Sequence, residues 1–229
     1  MRRTEQESVI IVAGGRGLRA GGEVPKQFRL IGGRPILMHT IEAFYRYNHA
    51  IAIVVVLPEG FIDYWQQLCR THQFTVPFRT AIGGATRFHS VRNGLDLIPA
   101  EGVVAVHDAA RPLVSPGLIG RCFATCAAKQ CGVIPVVPVT GSVRLLTEEG
   151  SSMMDRELLR VVQTPQLFPV AALKKAYETV YDPTFTDDAS VAEKHGLPIL
   201  LEEGEESNIK ITTPLDFMIA EQLLLQMPK

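Results

Sequence analysis

Residues 8–26 read SVIIVAGGRGLRAGGEVPK, a short β-branched run followed by a segment rich in glycine and basic residues. The run at residues 8–12 is apolar on both faces, which predicts a strand buried in a parallel sheet. The glycines that follow allow backbone N–H groups to surround an anion, and Arg16, Arg19 and Lys26 add positive charge. This stretch therefore predicts a buried strand that leads into an anion-binding loop. The alternative is a flexible turn with solvated basic residues.

The alternation of strand-like and helix-like segments continues along the chain. Strand-like runs lie at residues 51–57, 103–107 and 132–137, and amphipathic helical patterns at residues 35–47 and 86–98. Ser115-Pro116 and Thr213-Pro214 each predict the start of a further helix. We therefore expect an α/β fold: a single domain, residues 1–229, with a doubly wound, mostly parallel, Rossmann-like sheet. Ligands of such sheets bind beyond the carboxyl ends of the strands.

One segment, at about residues 139–163, departs from this alternation. It is more polar than its surroundings, and the sequence Glu148-Glu149-Gly150-Ser151 is a turn signal. The pattern predicts a protruding β-hairpin, and an isolated hairpin is marginally stable in water. We therefore predict a homodimer that forms through this hairpin arm. The alternative is a surface hairpin that lies on its own domain.

The composition excludes several classes of partner. The 229 residues include 23 Lys and Arg against 24 Asp and Glu, so neither a nucleic acid nor an anionic membrane is an expected partner. We find no apolar run of the roughly 20 residues that a membrane span needs, and no signal-peptide pattern at the N-terminus. The four cysteines form no C-x-x-C pair and lack further zinc ligands nearby. We expect reduced thiols and a cytoplasmic location.

Two known anion-binding patterns can be compared with the glycine-rich loop. A Walker A loop requires Gly-Lys, a pair that the sequence does not contain. Gly15-x-Gly17-x-x-Ala20 fits the dinucleotide fingerprint formally, but the glycines and proline that follow would break the helix expected there. The acidic residue expected about 20 residues later is also missing. A dinucleotide-dependent oxidoreductase is therefore a distant alternative.

A second motif, His107-Asp108-Ala109-Ala110-Arg111-Pro112, follows a predicted buried strand. An aspartate at the carboxyl end of a strand, beside a phosphate loop, is suited to bind Mg²⁺ or a ligand hydroxyl. Alternatively, Arg111 holds Asp108 in a structural ion pair. Further segments that carry polar or small residues are residues 83–87 (GGATR), 164–166 (TPQ) and 208–212 (NIKIT), of which the last is strand-like.

Together these motifs resemble the 2-C-methyl-D-erythritol 4-phosphate cytidylyltransferase family. The similarity includes AGGRGLR and PKQF around the first loop, GGATRFHSV, HDAARP, Asp155-Arg156, TPQ, TDDAS at residues 186–190 and NIKIT, in family order. The resemblance implies transfer of CMP from CTP to 2-C-methyl-D-erythritol 4-phosphate with release of pyrophosphate. A ribitol-5-phosphate cytidylyltransferase is the nearest alternative, and HDAARP with the pair Arg156 and Lys210 favours methylerythritol phosphate.

The resemblance also implies roles for individual residues. Those expected to bind the nucleotide are Ala13, Gly14, Gly15, Gly17, Gly84, Ser90, Asp108 and Ala109. Those expected to bind the acceptor are Asp108, Ser142, Arg156, Thr164 and Lys210, with Arg156 reaching the substrate of a neighbouring subunit. The sequence departs from the family pattern at Ala85, where other members have aspartate, and at Gly141-Ser142, which replaces an aspartate-threonine pair.

The implied reaction requires stabilisation of negative charge more than proton transfer. A phosphate oxygen is already ionised at neutral pH, so no general base is required. Positioned cations must instead stabilise the charge that develops around the α-phosphorus. Arg19, Lys26 and Lys210 are the candidate catalytic residues. Mg²⁺ is the expected cofactor, bound mainly by phosphate oxygens and water, with Asp108 as the candidate protein ligand.

Overall fold

The β-branched run at residues 8–12 forms a strand at the centre of a mixed sheet. The computed structural model describes residues 6–14 and 24–226. The strands are β1 (Glu7–Val12), β2 (Leu30–Ile31), β3 (Arg34–Pro35), β4 (Ala52–Leu57), β5 (Arg79–Ile82), β6 (Val103–Asp108), β7 (Gly132–Pro138), β8 (Val143–Thr147), β9 (Gly150–Met154), β10 (Arg160–Val162), β11 (Gln166–Pro169) and β12 (Ile199–Glu203). The helices are α1 (Ile36–Tyr47), α2 (Ile62–Thr71), α3 (Arg87–Leu95), α4 (Pro116–Lys129), α5 (Val170–Ala176), α6 (Asp188–Lys194) and α7 (Pro214–Gln226).

The order of the strands confirms the predicted doubly wound α/β class. β1 pairs in parallel with β6 on one side and with β4 on the other, and β5 continues the parallel arrangement beyond β4. On the β6 side, β11 runs antiparallel to both β6 and β7, while β12 pairs in parallel with β7. The chain therefore extends the sheet in both directions from β1. Such a reversal of strand order opens a crevice at the carboxyl ends of β1 and β6.

Apolar clusters cover both faces of this sheet. On one face the buried side chains of α1, α2 and α4, among them Phe44, Trp65 and Phe123, pack against the odd-numbered positions of β1. On the other face α3, α5 and α6 pack against Ile10 through residues such as Phe88 and Leu173. Burial on both faces explains why the strand-like runs were continuous rather than alternating.

The predicted helix starts at Pro116 and Pro214 are confirmed by their capping contacts. The hydroxyl of Ser115 accepts a hydrogen bond from the Leu118 N–H at 3.0 Å. At the second start the Thr213 N–H donates to Asp216 Oδ2 at 2.7 Å, and the Asp216 N–H donates back to Thr213 Oγ1 at 3.3 Å. This reciprocal pair satisfies N–H groups that have no partner inside the helix.

Two expectations about local structure need correction. Residues 208–212, expected to be strand-like, belong to no strand, because their hydrogen bonds go to several different partners; the Ile211 N–H, for example, donates to the Ala110 carbonyl at 2.9 Å. The segment at residues 139–163 does contain a two-stranded antiparallel sheet, β8 with β9, joined by the predicted turn. However, β10 pairs with β7 in the main sheet, so the separate hairpin β8–β9 is shorter than the predicted arm.

Within residues 6–14 and 24–226, no helix combines the length and the apolar character that crossing a membrane requires.

Candidate active site

A cleft of about 1020 Å³ opens where β1 and β6 end. Val12 and Asp108 are register partners at this edge, and the Ala109 N–H donates to the Val12 carbonyl at 3.2 Å. The cleft brings together predicted site residues from four distant parts of the sequence. They are Ala13, Gly14, Lys26, Gly84, Ser90, Asp108, Ala109 and Lys210.

The two ends of the glycine-rich loop lie in this cleft. Gln27, beside Lys26, donates from Nε2 to the Ala13 carbonyl at 2.6 Å, which brings the residues after the loop to the residues before it. Lys26 donates from Nζ to the Ile211 carbonyl at 2.7 Å and so lies beside the segment that carries Lys210. The predicted residues Gly15, Gly17 and Arg19 lie outside the described part of the chain.

A second glycine loop, residues 83–86, also lines the cleft and lies beside Gly14, since a Cβ at Gly14 would be 2.8 Å from Ser90 Oγ. Ser90 organises it: its hydroxyl donates to the Thr86 carbonyl at 3.0 Å and accepts from the Gly84 N–H at 3.1 Å. A Cβ at Gly84 would lie 2.4 Å from the Cβ of His89, so this position requires glycine. Ser90 is almost fully buried, and both of these hydrogen bonds are made within the loop. Its side chain therefore shapes the surface that was expected to contact the base.

Asp108 lies at the centre of a charged cluster. Its Oδ2 is 2.8 Å from Lys210 Nζ and 3.6 Å from Arg111 Nε, and its Oδ1 is 3.8 Å from Arg87 Nε. Burial opposes ionisation of this carboxyl, but the charges of Arg87 and Lys210 outweigh it and hold the pKa of Asp108 well below its ordinary value. Asp108 is therefore a carboxylate at neutral pH. Asp108 therefore forms the ion pair with Arg111 and also lines the cleft, while a role in binding Mg²⁺ or a ligand hydroxyl stays a prediction.

A chain of hydrogen bonds fixes the backbone around Asp108. The Arg111 carbonyl can only accept, so Nε2 of His107 carries the proton that bridges them at 3.0 Å. Nδ1 of His107 then accepts from the Thr164 hydroxyl at 3.0 Å, and this hydroxyl accepts from the Asp108 N–H at 3.0 Å. Burial lowers the pKa of His107 to about 4, so the ring is neutral and structural at physiological pH. The hydroxyl of Thr164 therefore connects the His107 ring to the backbone N–H of Asp108.

A smaller cavity of about 300 Å³ adjoins the cleft. Arg87, Asp108 and Lys210 line both cavities, and Thr164 lines the smaller one. No role was predicted for six residues of its wall, which are Arg87, Val162, Gln163, Gln166, Thr186 and Asp187. The motifs GGATR, TPQ and TDDAS contain four of them, Arg87, Gln166, Thr186 and Asp187, and these motifs could have indicated them.

Two predicted acceptor residues lie away from both cavities. Ser142 is exposed at the start of the hairpin. Arg156 is about half-exposed after the hairpin, donates from Nη1 to the Thr140 carbonyl at 2.8 Å, and lies 3.5 Å from Glu157 through Nε. The substrate contact of Ser142 and the role of Arg156 at the site of a neighbouring subunit stay predictions.

The described residues offer no ready protein site for a metal ion. Within residues 6–14 and 24–226, no group of three or more His, Cys, Asp or Glu side chains is placed to hold one. Asp108 can supply only a single carboxylate, and Lys210 already contacts its Oδ2. Such a site suits a cation that is held mainly by ligand oxygens rather than by the protein.

Comparison with known proteins decides the family. The sequence profile described as IspD, 2-C-methyl-D-erythritol 4-phosphate cytidylyltransferase, matches residues 8–226. This chain belongs to the IspD family. The range includes every residue named above on the walls of the two cavities, so the match extends to the whole candidate site.

Individual IspD relatives agree with this membership. The chain is 52% identical over 219 residues to the 2-C-methyl-D-erythritol 4-phosphate cytidylyltransferase of Bacteroides thetaiotaomicron, covering 96% of this chain and 100% of the relative. A protein of the same name from Porphyromonas gingivalis is 48% identical over 221 residues, covering 96% and 98%.

Solved structures that carry IspD names share the fold. The 4-diphosphocytidyl-2C-methyl-D-erythritol synthase of Anaerococcus prevotii superposes with a TM-score of 0.81 at 26% identity, covering 96% of each chain. The 2-C-methyl-D-erythritol 4-phosphate cytidylyltransferase of Thermus thermophilus superposes with a TM-score of 0.75 at 32% identity, covering 96% of this chain and 98% of that one.

Proposed function

We propose that this chain transfers CMP from CTP to 2-C-methyl-D-erythritol 4-phosphate, releasing pyrophosphate and forming 4-diphosphocytidyl-2-C-methyl-D-erythritol. The observation that carries the proposal is the family match over residues 8–226. It supports methylerythritol phosphate over ribitol 5-phosphate as the acceptor, since relatives about half identical to this chain carry the former name. It gives no support to a dinucleotide-dependent oxidoreductase.

The two adjoining cavities suggest how the substrates are arranged. The larger cleft, which is lined by Gly84 and Ser90 and by Ala13, Gly14 and Lys26, is large enough for a nucleotide. The smaller cavity, with Thr164 in its wall, is assigned to the acceptor. Asp108 and Lys210 lie at the boundary, where the acceptor phosphate and the α-phosphate of CTP would meet.

The proposed chemistry is a single displacement at the α-phosphorus. A bond forms between an acceptor phosphate oxygen and this phosphorus, while the bond to the bridging oxygen of the β-phosphate breaks and pyrophosphate leaves. The second pKa of a phosphate monoester is about 6, so the nucleophile needs no base at neutral pH. The neutral, hydrogen-bonded state of His107 supports a mechanism without such a base.

Electrostatic stabilisation is then the main task of the side chains. Lys26 and Lys210 lie on neighbouring segments, because Lys26 donates to the carbonyl of Ile211. A positioned donor that contacts the charge of the transition state contributes about 10²- to 10³-fold to turnover. We assign this role to Lys26 and Lys210, with Arg19 as a third cation from the glycine-rich loop. Asp108 is assigned to hydroxyl groups of the ligands.

Mg²⁺ is part of the proposal as an ion that accompanies the triphosphate. Phosphate oxygens and water would supply most of its ligands, and Asp108 fits as one further ligand rather than as the basis of a site. When bound, the ion would neutralise part of the charge that opposes the approach of the acceptor phosphate.

A homodimer through the hairpin β8–β9 is also proposed. The hairpin exposes apolar side chains, including Leu146 and Met153, which are 83% and 81% accessible. A partner subunit would cover them and place its Ser142 and Arg156 near the acceptor. The proposed cytoplasmic location rests on the four cysteines, which are free thiols.

A comparison of acceptors tests the proposed substrate. The protein, CTP and Mg²⁺ are incubated with either methylerythritol phosphate or ribitol 5-phosphate, and pyrophosphate release is followed in parallel. We expect a kcat/KM at least about tenfold higher for methylerythritol phosphate, because polar groups placed for one polyol are left unpaired with another. Equal or inverted values would refute the acceptor assignment.

A further inference from the structure

Arg87 lies on the wall shared by the two cavities, where its side chain joins two aspartates. It is the first residue of α3, directly after the glycine loop at residues 83–86. Its Nε is 3.8 Å from Asp108 Oδ1, and its Nη2 is 2.7 Å from Asp188 Oδ2. Two edges of one guanidinium therefore face two carboxylates. A planar, forked cation can do this, whereas a lysine ammonium is a single point charge.

The second aspartate is fixed by contacts behind the cavity. Asp188 is the first residue of α6 and is fully buried. Tyr177 donates its hydroxyl hydrogen to Asp188 Oδ1 at 2.6 Å, and the ring of Tyr177 stacks on Phe88 with centroids 4.7 Å apart. Gln166 accepts from the Asp188 N–H at 3.1 Å through Oε1. Tyr177 lines neither cavity, so this anchor is separate from any ligand contact.

We propose that Arg87 is a positioning residue, which Asp188 and Tyr177 hold in place so that it sets the orientation of the Asp108 carboxylate. Lys210 and Arg111 approach Oδ2 of Asp108, while Arg87 approaches Oδ1. Without Arg87 the carboxylate would be drawn toward Lys210 and Arg111, and the charge of Lys210 would be less available to a phosphate. The proposal deepens the proposed function, because it assigns an arrangement that the transfer step needs.

The arrangement also links the two half-sites. Arg87 follows the loop assigned to the base, and Asp188 follows Thr186 and Asp187, which line the smaller cavity. The ion pair between Arg87 and Asp188 therefore joins the nucleotide wall to the acceptor wall. An arginine in this place holds both walls at a fixed separation around Asp108.

Kinetic variants with a matched control test the proposal. Arg87→Lys keeps the positive charge, but a single ammonium cannot face both aspartates. We expect kcat to fall by about tenfold or more, because a small misplacement of a reacting group lowers the rate by up to about 10²-fold. Tyr177→Phe should lower kcat by a smaller factor without touching either cavity. Arg92→Lys is the control, since Arg92 lies on the same helix and lines neither cavity. Added guanidinium should restore part of the activity of Arg87→Ala.

A crystal structure tests the positioning role of Arg87 without relying on the proposed cytidylyl transfer. In a crystal structure of Arg87→Lys, the Asp108 carboxylate should rotate or shift toward Lys210, whatever reaction the protein catalyses. An unchanged Asp108 carboxylate, or kcat and KM values of Arg87→Lys and Tyr177→Phe within twofold of the unaltered enzyme, would overturn the inference. Activity losses that follow thermal stability alone, with no guanidinium rescue, would overturn it as well. Absence of activity in the unaltered protein would instead count against the proposed function.

Discussion

Lys26 and Lys210 approach one another from segments far apart in the sequence. Lys26 contacts the Ile211 carbonyl, and Lys210 contacts the Asp108 carboxylate, so both ammonium groups are directed toward the shared cleft. We expect Lys26→Ala or Lys210→Ala to lower kcat by about 10²- to 10³-fold, the effect of removing a positioned donor from a developing charge. Steady-state pyrophosphate release measures this effect.

The control for these lysine variants is Lys129→Ala, at the exposed C-terminal turn of α4. It should leave turnover unchanged. Circular dichroism should show all three variants folded at the assay temperature. Turnover near that of the unaltered protein in either cleft variant would refute the assigned mechanism.

His107 makes stability depend on pH. Because burial lowers its pKa from 6.5 to about 4, the unfolded chain binds a proton there between these pH values that the folded chain does not bind. The free energy of unfolding should therefore fall as pH is lowered through this window, by roughly 3 kcal/mol for this one group. Urea unfolding at pH 7, 5.5 and 4.5 measures the slope.

Replacing His107 and the partly buried His39 one at a time shows how much each contributes to the pH dependence of stability. Burial also lowers the pKa of His39, so His39→Gln should remove a part of the pH dependence and leave the rest. His107→Asn cannot titrate and should lose the contribution of His107 while being less stable at pH 7. An unchanged slope in His107→Asn would contradict the assignment.

At the scale of single residues, the sequence predicted eight of the sixteen residues that line the larger cleft, but not the contacts between them. Asp108 was singled out because it follows a strand that could be recognised by its apolar run. Arg87 and Asp188 were not paired, since the contact between them depends on how α3 and α6 pack on the sheet. Ser90 was expected to contact the base, and only the structure relates its hydroxyl to the Gly84 N–H.

At the scale of elements, the loop at residues 83–86 depends on the absence of a side chain. In Gly84→Ala the new Cβ would meet the Cβ of His89 at 2.4 Å, so the loop or the start of α3 must move. We expect a loss of about 1–3 kcal/mol of stability, as for other overpacked positions, and a higher KM for CTP than for the unaltered enzyme. Thermal melts and CTP titrations measure the two effects.

Gly60→Ala is the matched control for this loop variant, because no heavy atom lies within 4 Å of the position of its added Cβ. It should leave the KM for CTP unchanged. A KM for CTP in Gly84→Ala equal to that of the control would show that the shape of the loop does not matter for the nucleotide.

The elements predicted correctly from the sequence are those whose characteristic residues lie within the element itself. Buried parallel strands are continuous apolar runs, and the starts of α4 and α7 carry capping residues. β11 and β10 are short and antiparallel, and they take their place from pairing with β6 and β7. Residues 208–212 have an alternating pattern typical of a strand, yet contacts of Asn208 and Ile211 to other segments determine their conformation.

At the scale of the whole molecule, the proposed homodimer rests on the hairpin β8–β9 with its exposed apolar side chains. We expect the unaltered protein to have the mass of a dimer in sedimentation equilibrium. Leu146→Asp with Met153→Asp should shift it toward monomer, because two exposed apolar contacts become charged. Leu201→Asp on β12, which is 60% exposed, is the control and should stay dimeric. Dimers of undiminished stability in the hairpin variant would contradict the proposed interface.

Mixed dimers test whether Arg156 acts on the neighbouring subunit. In a dimer of one Arg156→Ala subunit and one Lys26→Ala subunit, the first subunit keeps its own Lys26 and receives an intact Arg156 from its partner. With random exchange half of the dimers are mixed, each with one intact site, so about a quarter of normal activity should return at low acceptor concentration. Activity no higher than the sum of the two parents would show that Arg156 does not cross between subunits.

We propose that the cleft beyond β1 and β6 joins CTP to 2-C-methyl-D-erythritol 4-phosphate. The decisive measurement is pyrophosphate release by the unaltered protein with CTP, Mg²⁺ and this acceptor. We predict release that requires both substrates, with one pyrophosphate formed for each 4-diphosphocytidyl-2-C-methyl-D-erythritol. CTP binding without pyrophosphate release, or release that is independent of the acceptor, would contradict the account.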